Sequence, residues 1–389
     1  MPNIQISTLD NLSLPFKEEG YFFYPLAKSP INGEEILLVS FEGKEFTFIV
    51  KRREKDILIK ADKITNVLPV GVIQKALRVL SKNLKAEIFY SNVNSTKRRK
   101  AKISPYFKDM EYFYKEFKTD RNILVEVGFG SGRHLLYQAK KNPDSLVIGL
   151  EIHRPSIDQV LRRVEVERIE NILVVNYDAR IFLEFLPSNS VDKIFIHFPV
   201  PWDKKPHRRV ICEDFINESI RVLKKDATLE LRTDSENYFR YSLDLFLNLN
   251  KSSLEIFKNR ELEISSKYED RWRKLNKNIY DLIYKNEEIS PFKEKPAPLI
   301  FENKVLFSKI NKKFKKETFL EQDFFIHFEN IYEISKEEGL LKISMGAYQK
   351  SEHLYLFISK EGLKYIPLDI LPSFSNVKAH KKLKEWIYG

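Results

Sequence analysis

The residues Glu126-Val127-Gly128-Phe129-Gly130-Ser131-Gly132 close an apolar run that begins at Ile123, and they lead into a helical pattern carrying Leu135, Leu136 and Ala139. A strand–turn–helix unit of this kind brings a ligand close to the backbone, because glycines carry no Cβ and tolerate strained φ/ψ. Alone it fits a dinucleotide-binding enzyme or a merely tight βα connection. Two further acids narrow the choice. Glu151 ends the next apolar run, about 20 residues on, where a carboxylate accepts hydrogen bonds from both ribose hydroxyls. Asp178 ends the third, in Asn176-Tyr177-Asp178, where adenine's exocyclic amine can donate to it. Any one of these acids could be a helix N-cap, but three on successive strand ends form one crevice. Glu126 beside the glycine turn repels a diphosphate and attracts a cation. A ligand with a sulfonium and an ammonium, S-adenosylmethionine, is therefore expected against Glu126, Gly128, Gly130, Glu151 and Asp178, with NAD the runner-up.

The elements that must position these acids alternate between strand and helix from about residue 118 to 285. Apolar runs of strand length at 123–127, 146–150, 172–175, 191–198 and 227–232 are each separated by a helix-sized interval, the signature of a parallel α/β sheet. In the interval after Cys212, Ile216, Ile220 and Leu223 line one helical face. A helix is predicted at 236–248, then strand-like pieces at 262–265 and 279–284. On the N-terminal side, 35–63 reads as a β meander. Pro69 then opens a helix with Val70, Ile73, Leu77 and Leu80 at helical spacing. The basic run at 94–102 has no apolar period and reads as a linker or loop. A charged tract with three prolines at 287–298 marks a second boundary, beyond which 324–328, 340–343 and 354–358 are expected to be antiparallel strands. Three domains are expected: 1–105, β-rich; 106–288, holding the crevice; and 299–389, β-rich.

Composition limits the function classes. The 389 residues include 66 Lys+Arg and 55 Asp+Glu, a net charge of +11, which suits a polyanionic partner and equally a lysine-rich composition. One cysteine, Cys212, forms no intramolecular disulfide, and the seven histidines include no pair at zinc-ligand spacing, so no metal is expected. No run approaches the roughly 18 apolar residues that span a bilayer, and the N-terminus lacks a secretion-signal pattern. A cytoplasmic protein without membrane partners is expected.

Ile148-Gly149-Leu150-Glu151-Ile152-His153-Arg154-Pro155, preceded by the Glu126 to Gly130 segment and followed by Phe198-Pro199-Val200-Pro201-Trp202 and Ser266-Lys267-Tyr268-Glu269, resembles the bacterial tRNA (guanine-N7-)-methyltransferase family. The resemblance covers about residues 121–284. It implies a seven-stranded doubly wound, Rossmann-like domain that methylates guanosine 46 in the tRNA variable loop. It further implies cofactor contacts at Glu126, Glu151 and Asp178, and substrate contacts at Lys204, Asp234, Ser266, Lys267, Tyr268 and Glu269. One departure stands out: the family usually has Pro-Asp-Pro-Trp, and this chain has Val200 in place of that aspartate. Guanine N7 carries a lone pair and no proton, so positioning it in line with the methyl–sulfur bond supplies catalysis without a general base. Activity is therefore expected to survive, with Asp234 and Glu269 as the catalytic pair that orients the guanine edge. The alternative is an inactive tRNA-binding protein that keeps the crevice. Lys204, Lys205, His207, Arg208 and Arg209 are expected to meet tRNA phosphates, with the basic run 271–274 as a second candidate. His197 and Cys212 are expected to be structural.

Overall fold

The computed structural model describes residues 1–10, 12–64, 70–93, 104–348, 350–367 and 370–389, without the side chain of Lys267. Pro69 and the basic run at 94–102 lie outside the described residues. The chain divides into two compact units, one of Lys102–Lys295 and one that combines Met1–Ala101 with Pro296–Gly389.

The first unit is built on an eight-stranded sheet. Its strands are β1 (Phe107–Lys108), β2 (Ile123–Val127), β3 (Leu146–Leu150), β4 (Ile172–Val175), β5 (Val191–His197), β6 (Leu223–Thr233), β7 (Ser253–Lys258) and β8 (Tyr280–Lys285), in the spatial order β7-β8-β6-β5-β2-β3-β4-β1. The strands from β1 to β6 pair in parallel, and β8 runs antiparallel between β6 and β7. Helices α1 (Met110–Lys115), α2 (Arg133–Lys141), α3 (Arg154–Glu167), α4 (Ala179–Phe182), α5 (Glu213–Val222), α6 (Glu236–Leu247) and α7 (Lys267–Lys274) intervene. Every residue of β2 and β3 is buried, as expected of parallel strands covered on both faces. Leu135 and Leu136 of α2 and Ile157, Val160 and Val164 of α3 pack with Val147, Ile172 and Val174 of the sheet. Each such side chain contributes about 1.5–3 kcal/mol by leaving water. Because β2 has β3 on one side and β5 on the other, the chain reverses its winding there. The carboxyl ends of β2, β3 and β4 open onto the resulting crevice.

Three expectations change in this unit. Leu223, expected on the helical face with Ile216 and Ile220, instead begins β6, since α5 ends at Val222. The sheet has an eighth strand, the two-residue β1, which pairs Phe107 with Val174 and Lys108 with Val175. The piece at 262–265 is not a strand; β7 lies earlier, and Ser266 there caps α7 instead.

The second unit corrects the three-domain expectation, since both flanking segments share one 13-stranded sheet. Lys28 pairs with Glu333 across it, and Ala27, Ile36 and Leu38 share a core with Tyr332, Leu340 and Tyr355. The Tyr355 hydroxyl donates to Asp62 Oδ2 at 2.6 Å, and Ser29 Oγ to Asn330 Oδ1 at 2.7 Å. The helix expected after Pro69 forms at Val70–Asn83 and buries Ile73, Leu77 and Leu80. A C-terminal helix that the sequence reading did not identify, Phe374–Tyr388, is capped by Ser373 and buries Ala379, Leu383 and Ile387.

Candidate functional site

Gly128 and Gly130 turn the chain at the end of β2 with φ of +70° and +53°, a region that glycine enters without strain. A Cβ on Gly128 would meet nothing within 4 Å, and one on Gly130 only the Gly128 carbonyl at 4.0 Å, so the space above the turn is open to a ligand. Glu151 is tied to this turn. Its Oε2 accepts from the Gly130 amide at 2.9 Å, and its Oε1 accepts from the amides of Ile152 and His153 at 2.8 and 2.9 Å. A carboxylate offers about four lone-pair sites, so three amide donors fix its orientation and leave one site, on Oε2, for a hydroxyl donor.

Glu126 is buried, and its Oε2 lies 2.8 Å from His134 Nδ1 on α2. The direction of that bond follows from its neighbours. Asn142 Nδ2 donates to Gln138 Oε1 at 3.1 Å, which leaves the Gln138 amide nitrogen, a donor only, facing His134 Nε2 at 3.0 Å. His134 Nε2 must then accept and Nδ1 must donate to Glu126. His134, Gln138 and Asn142, spaced four apart along and just beyond α2, form a hydrogen-bonded ladder that ends on the Glu126 carboxylate. Among the described residues Glu126 Oε1 takes no hydrogen bond, which suits a cationic ligand.

Asp178 caps α4 through the Arg180 amide at 3.0 Å and holds the Arg180 guanidinium with both oxygens, at 3.0 and 2.7 Å. Asn176 Nδ2 donates to the carbonyls of Glu151 and Ile152, joining the ends of β4 and β3. The three sequence-predicted acids therefore stand on the carboxyl ends of adjacent strands. The open turn and the charge of this donor set fit S-adenosylmethionine.

The expected base-binding residues divide. Asp234 follows β6 at the same edge of the sheet, with Lys277 Nζ 2.9 Å from its Oδ2. Glu269 requires a correction. It is 2% exposed, and its Oε1 accepts from Arg232 Nη2 at 2.8 Å and Arg273 Nε at 2.9 Å, while Oε2 accepts from Arg232 Nε at 3.2 Å. A carboxylate so enclosed holds a buried arginine rather than a guanine edge. Arg232 also reaches both Asp281 oxygens, at 2.5 and 2.7 Å. Burial raises the Asp281 carboxyl above its ordinary value, against the pull of Arg232. Beside this cluster, burial would raise Glu230 too, but His197 at 3.0 Å and Lys193 at 3.1 Å outweigh it and hold the carboxyl well below its usual range. The His197 ring is buried and tied to the Glu230 carboxylate. None of Arg232, Glu230, Asp281 and His134 stood out as a polar core in the sequence. The four-residue spacing of His134, Gln138 and Asn142 was the available signal.

Ser266 is the N-cap of α7, accepting from the Glu269 amide at 3.0 Å, and Tyr268 is 55% exposed. Lys267 opens α7, and its side chain is outside the described residues. Lys204, Lys205, His207 and Arg208 are exposed, with Arg208 over the Trp202 ring at 5.1 Å. Arg209 is a second correction: it is buried, donates to the Pro201 carbonyl at 2.8 Å and to Asp203 at 3.3 Å, and lies over Tyr241 at 4.4 Å. It braces the loop and is withdrawn as a direct phosphate contact. Val200 is 60% exposed on that loop. Cys212 is the N-cap residue of α5, and burial pushes its thiol up, away from the reactive thiolate. Among the described residues no group of three or more His, Cys, Asp or Glu is placed to hold a metal ion, and no helix is long and apolar enough to cross a membrane.

A family described as "Putative methyltransferase" matches residues 120–282. The tRNA (guanine-N(7)-)-methyltransferase of Wolinella succinogenes is 44% identical over 392 residues, covering all of this chain and all of its own. That of Campylobacter fetus subsp. fetus is 40% identical over 100% of this chain and 99% of its own. That of Campylobacter jejuni subsp. jejuni serotype O:23/36 is 39% identical over 99% and 98%. These similarities run through both flanking segments as well as through the crevice.

Proposed function

The chain belongs to the tRNA (guanine-N(7)-)-methyltransferase family, and from that premise we propose how its own residues perform the reaction. It transfers a methyl group from S-adenosylmethionine to N7 of a guanine in tRNA. The observation that carries this reading is the match over the full length of relatives named for that activity.

The bound cofactor supplies an electrophilic methyl group on a positively charged sulfur. The chain's part is electrostatic and geometric. Glu126, oriented by the His134 ladder, offers Oε1 to the cofactor's cations beside the glycine turn. Glu151, already set by three amides, accepts a ribose hydroxyl on its remaining site. Asp178, held by Arg180, accepts the adenine amine. On the base side, Asp234 accepts the N1–H and N2 amine of guanine and so aims N7. With the cofactor held there, its methyl group would pass to the N7 lone pair, the sulfur would leave neutral and the base would gain the positive charge. No proton moves, so Val200 removes no obligatory step. Asp234 beside the methylated ring offsets the charge that develops there. Tyr268, with its exposed ring, stacks on the substrate, and Lys204 and Arg208 take phosphates beside it. Ser266 acts by fixing the start of α7, where Lys267 also stands. Glu269 acts only through Arg232, which it holds beneath that edge of the sheet.

The finer assignment, guanosine 46 of the variable loop in the cytoplasmic tRNA pool, is part of the proposal. Nucleoside analysis of tRNA from cells lacking this chain tests it. N7-methylguanosine should disappear from the variable loop, and its persistence there would overturn the assignment.

A further inference from the structure

Charge is unevenly divided between the two units. The flanking unit holds 32 Lys+Arg against 23 Asp+Glu, +9, and the catalytic unit 34 against 32, +2. Four of the flanking positive charges stand in Lys97-Arg98-Arg99-Lys100, outside the described residues. The surplus that favours a polyanion therefore belongs to the unit without the cofactor crevice.

Within that unit, the strands Thr318–Leu320, Phe325–Glu333, Gly339–Gly346 and Ser351–Ser359 form a sheet with unlike faces. One face is apolar: Ile326, Ile343, Leu354 and Leu356 share a core with Leu383 and Ile387 of the C-terminal helix. On the other face the register sets Thr318, His327, Ser344 and His353 in one row across four strands. The row is hydrogen-bonded pairwise, Thr318 Oγ1 to His327 Nδ1 at 2.7 Å and Ser344 Oγ to His353 Nδ1 at 2.8 Å. Beside it the rings of Phe325 and Tyr348 stack at 5.5 Å and 26°, and Tyr348 is half exposed. With Lys316 and Lys342 these side chains line an open concavity of about 700 Å³, a volume suited to a nucleotide.

Two acids also line it. Glu329 is ion-paired with Lys342 at 2.8 Å. Burial would raise its carboxyl, but Lys342 and Ser344 outweigh that and hold it below its ordinary value. Glu34 accepts from Asn330 Nδ2 at 3.0 Å and from the Tyr332 hydroxyl at 2.9 Å. A floor of paired charges, imidazoles and stacked rings is poor for phosphate and good for a base, whose edges donate and accept and whose face stacks. Among the described residues Lys316, exposed at the rim, has no ion pair, and it is preceded by exposed Lys312 and Lys315.

We propose that this groove binds an unpaired nucleotide of the tRNA substrate, with the base against the Phe325–Tyr348 pair and the neighbouring phosphates on Lys316 and the lysines before it. The proposal rests on the tRNA reading above and adds a second substrate contact to it. The test uses the full-length chain, S-adenosylmethionine and an unmodified tRNA transcript. Tyr348→Ala should raise the KM for tRNA about five-fold or more, with the KM for the cofactor unmoved, and Tyr348→Phe should restore it. Lys316→Glu should lower the salt slope of tRNA binding by about one. Photocrosslinking of 4-thiouridine-substituted tRNA to the wild-type chain should label the peptide that holds Phe325 or Tyr348. If the wild-type chain methylates tRNA while the variants stay within about two-fold of it and no label reaches that peptide, the groove proposal fails alone. A wild-type chain that transfers no methyl group to tRNA overturns the functional reading and the groove with it.

Discussion

The catalytic and flanking units are nearly equal in length and differ in how they arrange charge. In the catalytic unit acids and bases almost balance, and many are buried in fixed pairs: Arg232 with Glu269 and Asp281, Glu230 with His197, and Glu126 with His134. In the flanking unit cations exceed anions by nine. The difference follows from what each must hold. A small cationic ligand is selected by a few carboxylates of exact orientation, which need a rigid polar lattice behind them. A long polyanion is attracted by net field, which needs surplus charge and little geometry.

The comparison breaks most visibly at Arg232. Arg232→Met leaves the Glu269 and Asp281 carboxylates buried without their shared partner. Stability in urea unfolding should fall by about 3–5 kcal/mol. A loss under about 1 kcal/mol would show that the lattice is not structural, and would return Glu269 to the list of groups available to a base. Next in size is Glu151→Ala, which removes the acceptor of three amides. Cofactor affinity measured by calorimetry should drop about 30-fold or more, the worth of a charge-assisted hydrogen bond or two, with tRNA affinity unchanged. Equal losses in both would contradict the assignment of Glu151 to the cofactor's ribose.

A smaller effect is expected in acid. Glu230 has a lower pKa folded than its ordinary value of 4.5, so its contribution to stability is present above that value and is lost progressively as pH falls below it. Glu230→Gln should flatten that part of the acid limb in a stability–pH profile; an unchanged slope would detach Glu230 from the lattice. The smallest effect belongs to Val200→Asp. It should change kcat far less than the ~10²-fold that a general base supplies, and a gain of that size would mean that the loop needs the missing carboxylate.

Much of the fold was legible because apolar runs such as Ile123–Val127 and Leu146–Leu150 must be covered on both faces, and their spacing dictates crossover helices. The acids at Glu126, Glu151 and Asp178 were legible for the same reason, since each sits where a strand of known length ends. Glu269 was not. Ser266-x-x-Glu269 reads equally as a substrate motif and as a helix start, and its partner Arg232 is 37 residues earlier in the chain. The joining of the flanking segments was hidden likewise, because Lys28 and Glu333 meet across 305 positions that no local pattern spans. His134 looked like one more helical residue, although polar side chains four apart behind a buried acid were a readable sign.

Above all, this chain places a methyl group on a guanine nitrogen that needs no deprotonation. The direct measurement is transfer by the purified chain to an unmodified tRNA transcript, followed by borohydride reduction and aniline cleavage, which cuts the strand at N7-methylguanosine. A single cut at one variable-loop guanosine is predicted. Methyl incorporation without a cut, or no incorporation from material that binds the cofactor, would contradict it.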